Sequence, residues 1–287
     1  MRVVVTGGSG KLGRAVVAGL RDRGDEVVNL DAALPRTEDR LSIKINLRDY
    51  GQTVDALTAV DDRYHGVDAL VHLAAIPAPG LVPNVETFHN NMNATYNVFS
   101  AARVAGIKNI VWASSETVLG LPFNTPPPYL PVDEVYAARP ESTYSLCKTL
   151  EEEIARQFCR WDPALKMVGL RFSNVMEPAD YAAFPDFNAD PLSRKWNLWA
   201  YIDARDGAQA VRRALDYAAA GMDVFIIANA DTVMTTPSEE LAKIVFPDVP
   251  LTKTLGVNET LLSIEKARRL LGYEPRYSWR DEASRRP

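Results

Sequence analysis

Tyr144 and Lys148 stand four residues apart in "YSLCK", so on a helix both side chains leave the same face. A tyrosine with a pKa of about 10 is a poor base at neutral pH. An ammonium a few ångströms away favours the phenolate and lowers that value, which equips the pair to take a proton from an alcohol. Alone the spacing says little, because many solvent-facing helices carry it. Here it follows a strand-like run that ends in "SSETVLG", where Ser114, Ser115 and Glu116 bring two hydroxyls and a carboxylate to a strand end. Glu116 reads as a substrate contact or as a solvated strand-end carboxylate, and the sequence leaves both open.

A second cluster lies near the start. "TGGSGKLG", residues 6–13, follows Val3-Val4-Val5 and precedes the helical "RAVVAGLRDRG". The Gly-Lys pair suggests a nucleoside-triphosphate loop, but that loop needs an earlier glycine and a hydroxyl after the lysine. Val5 and Leu12 occupy those two places. What remains is Gly7, Gly10 and Gly13 at three-residue spacing. Such glycines let backbone amides approach a pyrophosphate at a helix N-terminus, which is itself partly positive. A strand–helix turn with no ligand is the alternative. A second strand, "EVVNL", ends at Asp31, 18 residues beyond Gly13. A carboxylate there suits the ribose hydroxyls of NAD and repels the 2′-phosphate of NADP. Arg14 and Arg36 keep NADP open, and Asp31 as a plain turn residue is the remaining option.

The elements that must position these groups alternate along the chain. "RVVVTG", "EVVNLD", "LSIKIN", "DALVHLAA", "NIVWASS" and "KMVGLRFSN" are apolar, β-branched runs separated by helical stretches. That pattern predicts an α/β fold, a Rossmann-type doubly wound parallel sheet with helices on both faces. "ETFHNNMNATYNVFSAARVAG" and "STYSLCKTLEEEIARQFCRW" read as helices, the second with Leu146, Leu150, Ile154 and Phe158 along its apolar stripe. Between them the proline-rich "GLPFNTPPPYLPVDEVYAARPE" reads as a wall or lid of the site, with a polyproline ligand as the other option. Beyond Asn174 the pattern loosens. The expected division is a dinucleotide-binding domain over 1–174, its sheet and helices extended by about 201–230. A small, partly discontinuous substrate domain takes 175–200 and 231–287.

Composition excludes several classes. A net charge of −5 argues against a nucleic-acid partner, and the arginine pairs at 212–213, 268–269 and 285–286 read as solvated helix faces. There is no run of 18 apolar residues and no basic leader ahead of the first strand, so the expectation is no membrane span and a cytoplasmic enzyme. Cys147 and Cys159 are too few for a disulfide framework. His65, His72 and His89 show no metal-ligand spacing with them, so no metal is expected.

The sequence resembles the extended short-chain dehydrogenase/reductases, the NAD-dependent epimerase/dehydratase family. The likeness runs through "VTGGSGKLG", "LDAA", "VHLAAIP", "NMNATYNV", "WASSETVLG", "YSLCK", "LRFSNV", "YIDARDGAQAV" and "LLSIEKARRLLGYEP", in that order. It is similar above all to compact members such as uronate dehydrogenases. The resemblance implies that Gly7, Gly10, Lys11, Leu12, Gly13, Asp31, Asn46, Leu47, Leu73, Ala74, Ala75 and Asn91 surround NAD. Ser114, Phe172, Asn174 and Val175 join them. Asn46 stands where the family often has Asp. Tyr144 is implied as general base, with Lys148 tuning it and holding the nicotinamide ribose, and Ser115 bonding the substrate oxygen. Ile76, Ser115, Glu116, Asn174, Arg194 and Trp196 are implied on the substrate side. A homodimer through the helices at roughly 86–105 and 142–161 is implied as well.

Departures narrow the reaction. The family's nucleotide-sugar 4,6-dehydratases follow the catalytic Thr with Asp-Glu. This chain has Glu116 and Thr117, so the second carboxylate is missing. The expected reaction is net oxidation of a secondary alcohol on a sugar or sugar acid. A sugar epimerase with the same residues, or a non-catalytic NAD sensor, is the alternative. Residues 175–200 hold Glu177, Asp180, Asp186 and Asp190 against Arg194 and Lys195, a balance of −2. That reads as a wall hostile to a diphosphate, with Arg194 and Lys195 free to orient one carboxylate and Trp196 or Trp199 stacking on a sugar; two core tryptophans and two solvated cations are the alternative.

Overall fold

The computed structural model describes residues 1–35, 39–59 and 63–284. Arg36 and the pair Arg285-Arg286 lie outside the described residues. In chain order the elements are β1 (Arg2–Thr6), α1 (Lys11–Asp22), β2 (Glu26–Asp31), β3 (Ser42–Lys44), α2 (Tyr50–Leu57) and β4 (Ala69–His72). Next come α3 (Asn84–Val104), β5 (Asn109–Ser115), α4 (Thr143–Trp161), β6 (Lys166–Phe172), β7 (Val175–Met176), α5 (Phe184–Phe187) and β8 (Ile202–Asp203). The chain closes with α6 (Ala204–Asp216), β9 (Gly221–Ile227), α7 (Ser238–Val245), α8 (Glu265–Leu271) and α9 (Trp279–Ser284).

Seven strands form one sheet in the order β3-β2-β1-β4-β5-β6-β9, every pair parallel. β1 is buried on both faces: Val3 and Val5 join the core shared with α1, α6 and the C-terminal segments, and Val4 joins the core under α2, α3 and α4. A continuous β-branched run is what a central parallel strand requires. The strand order reverses direction between β1 and β4, so the crevice at their carboxyl ends is where a doubly wound sheet holds its ligand. Thr6 pairs with both Leu30 and His72 there.

The helix α2 starts where Asp49 caps it, accepting the Gln52 N–H at 3.1 Å. Two readings needed correction. The third strand is shorter than "LSIKIN", at Ser42–Lys44. The stripe on α4 is also different. Leu146 is exposed and Leu150 and Ile154 are half-buried, while Tyr144, Cys147, Lys148, Glu151, Glu152 and Ala155 face inward. Polar groups take the sheet side because β5, β6 and α3 offer them charged and hydrogen-bonding partners.

The proline-rich segment is a wall and not a lid. Phe123, Leu130 and Val132 are buried in the core, and Leu130 and Val132 bridge to Leu251 and Leu262. Among the described helices, none is long and apolar enough to cross a membrane.

Candidate active site

Gly7, Gly10 and Gly13 shape the turn between β1 and α1. A Cβ on Gly7 would stand 2.7 Å from the Ala74 nitrogen, and one on Gly13 would stand 2.1 Å from the Gly7 oxygen. Gly7 also sits at φ +73°, a region that L side chains rarely adopt. Gly10 is different: its nearest neighbour would be 3.4 Å away, so this side stays open toward the crevice. The N-terminus of α1 carries no acidic residue in its first turn and no side-chain cap. Its free N–H groups therefore fit a pyrophosphate. Beside it, Asp31 at the end of β2 accepts the Ser9 N–H at 2.9 Å and the Ala33 N–H at 3.1 Å. This carboxylate fits a ribose diol, and the cradle as a whole fits a dinucleotide.

One cavity of about 1450 Å³ runs from this cradle across the sheet ends. Of the expected cofactor residues, Gly7, Gly10, Lys11, Leu12, Gly13, Asp31, Asn46, Leu47, Leu73, Ala74 and Ala75 line its first half. Ser114, Ser115, Glu116, Tyr144, Lys148, Phe172, Asn174, Val175, Ile76 and Trp196 line the rest. Gly8 was not singled out, yet a Cβ there would stand 2.4 Å from Asn29 Oδ1.

Several side chains sit elsewhere than expected. Asn91 does not line the cavity. It is fully buried and clamps the Ile76 backbone, accepting from its N–H at 2.8 Å and donating to its carbonyl at 3.1 Å. Arg194 is buried too, donating to Asn174 Oδ1 at 3.1 Å and to the Ala200 carbonyl at 3.3 Å, with its guanidinium 4.7 Å from the Trp196 ring centre. Neither it nor Lys195 lines the cavity, so neither is free to orient a carboxylate. Trp199 is core, its indole N–H donating to the Pro191 carbonyl. Nor do Glu177, Asp180, Asp186 or Asp190 line the cavity. Asp180 pairs with Lys11 at 2.6 Å and Glu177 with Arg14 at 2.9 Å, which neutralises both and occupies two cations beside the cofactor loop.

The reacting end is built by β5 and α4. Ser115 ends β5 and caps the following turn, accepting from Thr117 N at 3.2 Å and from Thr117 Oγ1 at 3.0 Å. Ser142 caps α4 in a reciprocal box with Ser145, which sets the helix so that Tyr144 and Lys148 face Ser115. The Lys148 ammonium lies 5.9 Å from the Tyr144 ring centre. Burial pushes the Tyr144 phenol above its ordinary value, and the Lys148 charge and Ser115 hydroxyl pull it back only in part. The expected net lowering is thus overridden by desolvation. Glu116 is not a solvated carboxylate. It is 3% exposed, and burial pushes it up to about 7 against the pull of Ser173, Asn197 and Arg194. Asn197 Nδ2 donates to its Oε1 at 3.3 Å, while Oε2 has no well-formed partner among the described residues.

If Asp31 holds the adenosine ribose, NAD should bind at least about tenfold more tightly than NADP, roughly 1.4 kcal/mol. Asp31→Ala should erase most of that difference. Titration of both cofactors against both proteins measures it, and equal dissociation constants in the native protein would refute the role of Asp31.

Comparison with known proteins agrees with this geometry. Residues 3–228 match the NAD dependent epimerase/dehydratase family. UDP-glucose 4-epimerase of Erwinia amylovora is 30% identical over 213 residues, 70% of this chain and 60% of that protein. UDP-glucose 4-epimerase 2 of Oryza sativa subsp. japonica is 31% identical over 219 residues, 70% of this chain and 50% of that protein. The match thus spans less than two thirds of either relative. Among solved structures, a short-chain dehydrogenase/reductase superfamily protein from Agrobacterium tumefaciens with bound NAD superposes with TM-score 0.74 at 25% identity, covering 99% of this chain and 95% of that one. UDP-glucose 4-epimerase from Bifidobacterium longum in complex with NAD+ and UDP superposes with TM-score 0.73 at 19% identity, covering 99% and 96%. The chain belongs to the NAD dependent epimerase/dehydratase family of extended short-chain dehydrogenase/reductases, enzymes that take NAD as cofactor.

Proposed function

We propose that the protein is an NAD-dependent sugar epimerase. The observation that carries this reading is the convergence of Ser115, Tyr144 and Lys148 on the cavity that the glycine cradle opens. Tyr144, as phenolate, takes the proton of a substrate hydroxyl. NAD, held by the Gly7–Gly13 turn and Asp31, would supply a reversible hydride acceptor for the same carbon. Tyr144 then returns the proton, and hydride return to the opposite face inverts the centre with no net redox change. Ser115 donates to the substrate oxygen and Lys148 holds the phenolate in place. The curated relatives support this course over the net oxidation expected from the sequence, since those proteins are epimerases.

The substrate end favours a neutral sugar. The cationic side chains lining the cavity are Lys11, Lys44, Arg48 and Lys148. Lys44 and Arg48 flank the adenine end, Lys11 the pyrophosphate loop and Lys148 the reacting centre. Around Ile76, Pro77, Glu116, Glu141 and Trp196 there is no further Lys or Arg among the described lining residues. Glu141 is paired with Arg139 at 2.7 Å and Arg194 lies near Glu116 without lining the cavity, so a sugar acid or a diphosphate would find no free cation there, whereas Glu116 suits a sugar hydroxyl. Free hexoses, pentoses, uronic acids and UDP-sugars, each incubated with the enzyme and NAD, separate these readings. Inversion of a neutral sugar seen by NMR, without growth of the NADH absorbance, is the expected result. Accumulating NADH would restore the dehydrogenase, and faster turnover of a UDP-sugar would overturn the substrate assignment.

We also propose a homodimer through α3 and α4, which leave Val85, Tyr96, Val104, Leu146 and Trp161 exposed. Tyr96→Glu with Leu146→Glu should convert a dimer to a monomer in light scattering; a native monomer would refute it. The free, buried thiols of Cys147 and Cys159 suit a reducing cytoplasm.

A further inference from the structure

Three consecutive glutamates, Glu151, Glu152 and Glu153, follow Lys148 on α4, and the helical turn of about 100° per residue sends each to a different place. Glu153 is on the surface with Gln157, bonded at 2.5 Å, and Arg156. Glu152 reaches β5 and β6, accepting from Ser114 at 2.6 Å and from Arg171 in a two-pronged pair at 2.8 Å. Glu151 turns back to the reacting centre. Its Oε2 accepts from the Lys148 ammonium at 2.9 Å, with the carboxylate fully buried and the lysine side chain 4% exposed.

A lysine has three donors. Two of those on Lys148 are committed inside the protein, one to Glu151 and one to the Ala113 carbonyl at 2.9 Å. The ammonium is therefore fixed between β5 and its own helix, with one donor left for the cavity. Behind Glu151 runs a polar chain. The Thr95 hydroxyl of α3 bonds His72 Nε2 at 3.1 Å, and His72 Nδ1 meets Thr6 Oγ1 at 2.7 Å.

We infer that Glu151 is a positioning residue that holds the Lys148 ammonium in place and sets the pH window in which Tyr144 works. This rests on the proposed roles of Tyr144 and Lys148. Burial alone would lower Lys148, but Glu151, with Tyr144, more than offsets it and keeps the ammonium protonated. The same negative charge adds to the burial that raises Tyr144. Removing it must therefore lower both values, moving the acid and the alkaline limb toward lower pH together. The other groups facing this centre are Glu116 from the turn after β5, His72 from β4, the Cys147 thiol and Glu152. Burial, with the Lys148 charge, drives His72 down to about 3 and so leaves it neutral, and burial pushes Cys147 up to about 11. Glu152 is paired with Arg171. Glu116 is thus the other group near Tyr144 whose charge changes close to neutral pH, and Glu151→Gln leaves it in place.

The test has two arms. The first is the pH dependence of NAD affinity, read by fluorescence titration, whose alkaline limb reports Lys148 without any substrate. The second is the kcat/KM profile on the sugar that turns over. Loss of a directly bonded charge should move the alkaline limb of NAD binding in Glu151→Gln toward acid by about one pH unit or more. The acid limb of kcat/KM should follow by a smaller step. Glu151→Asp keeps the charge but withdraws it, so its shift should have the same sign and smaller size, and it decides the matter if Glu151→Gln does not fold. Glu153→Gln, an equal change of charge on the helix surface, should move nothing. An alkaline limb of NAD binding left at the native position in whichever variant folds would overturn the assignment. Absence of turnover on every sugar would instead count against the epimerase reading and leave the NAD arm to decide this one.

Discussion

Tyr144→Phe is expected to lower kcat by about 10²–10⁴-fold, the range that a positioned proton-transfer group supplies. NAD binding should stay within a factor of about three, because the change deletes one oxygen and leaves the ring in its buried site. The phenol lies where burial raises its pKa above the ordinary value and Lys148 and Ser115 only partly restore it. Single-turnover kinetics with a parallel NAD titration measure both quantities. Retention of more than about a tenth of the native rate would be incompatible with a general base worth 10²–10⁴-fold.

The second large effect is on stability. Arg171→Met should destabilise the fold by about 3–5 kcal/mol, the usual consequence of removing one partner from a buried ion pair. Arg171 and Glu152 are each 6% exposed and share two bonds of 2.8 Å. The pair ties α4 to β6, and Ser114 on β5 closes the same network at 2.6 Å. Without the guanidinium, an uncompensated carboxylate remains inside. Replacing both partners, as Arg171→Met with Glu152→Leu, should recover much of the loss, since an apolar pair of similar volume leaves no stranded charge. Urea unfolding of the two single variants and the double one gives the coupling. A double variant as unstable as the sum of the singles would show that the pair does not act as a unit.

Much of the site could be read without a fold because its signals are local. The spacing of Gly7, Gly10 and Gly13, the strand end at Asp31, and Tyr144 with Lys148 each lie within one turn or one helix. Their positions follow from backbone geometry that neighbouring residues impose. The alternation of β-branched runs with helices likewise gives a parallel sheet, because a strand buried on both faces has no room for polar side chains.

Charged side chains were read less well, for the same physical reason in each case. Whether a charge is solvated, paired or aimed at a ligand depends on groups that the crossovers deliver from far along the chain. Arg194 looked like a free cation, but Asn174 and the Ala200 carbonyl take its donors and Trp196 covers it. Glu177 and Asp180 looked like an acidic wall until the turn after β7 laid them on Arg14 and Lys11. Asn91 looked like a cofactor contact and instead fastens Ile76. The apolar stripe assigned to α4 held only at its end, where Phe158 is buried and Ile154 packs on the core, because polar partners wait on the sheet side of the first turns; Glu151 is invisible in a run of three glutamates for that reason. Sequence alone determined the fold class and the glycine turn between β1 and α1, both governed by short-range geometry, and it named Ser115, Tyr144 and Lys148 as candidates that β5 and α4 bring to one cavity. Tertiary structure decided which charges are spent inside the protein and which face the cavity, because desolvation and ion pairing are fixed only once distant segments meet.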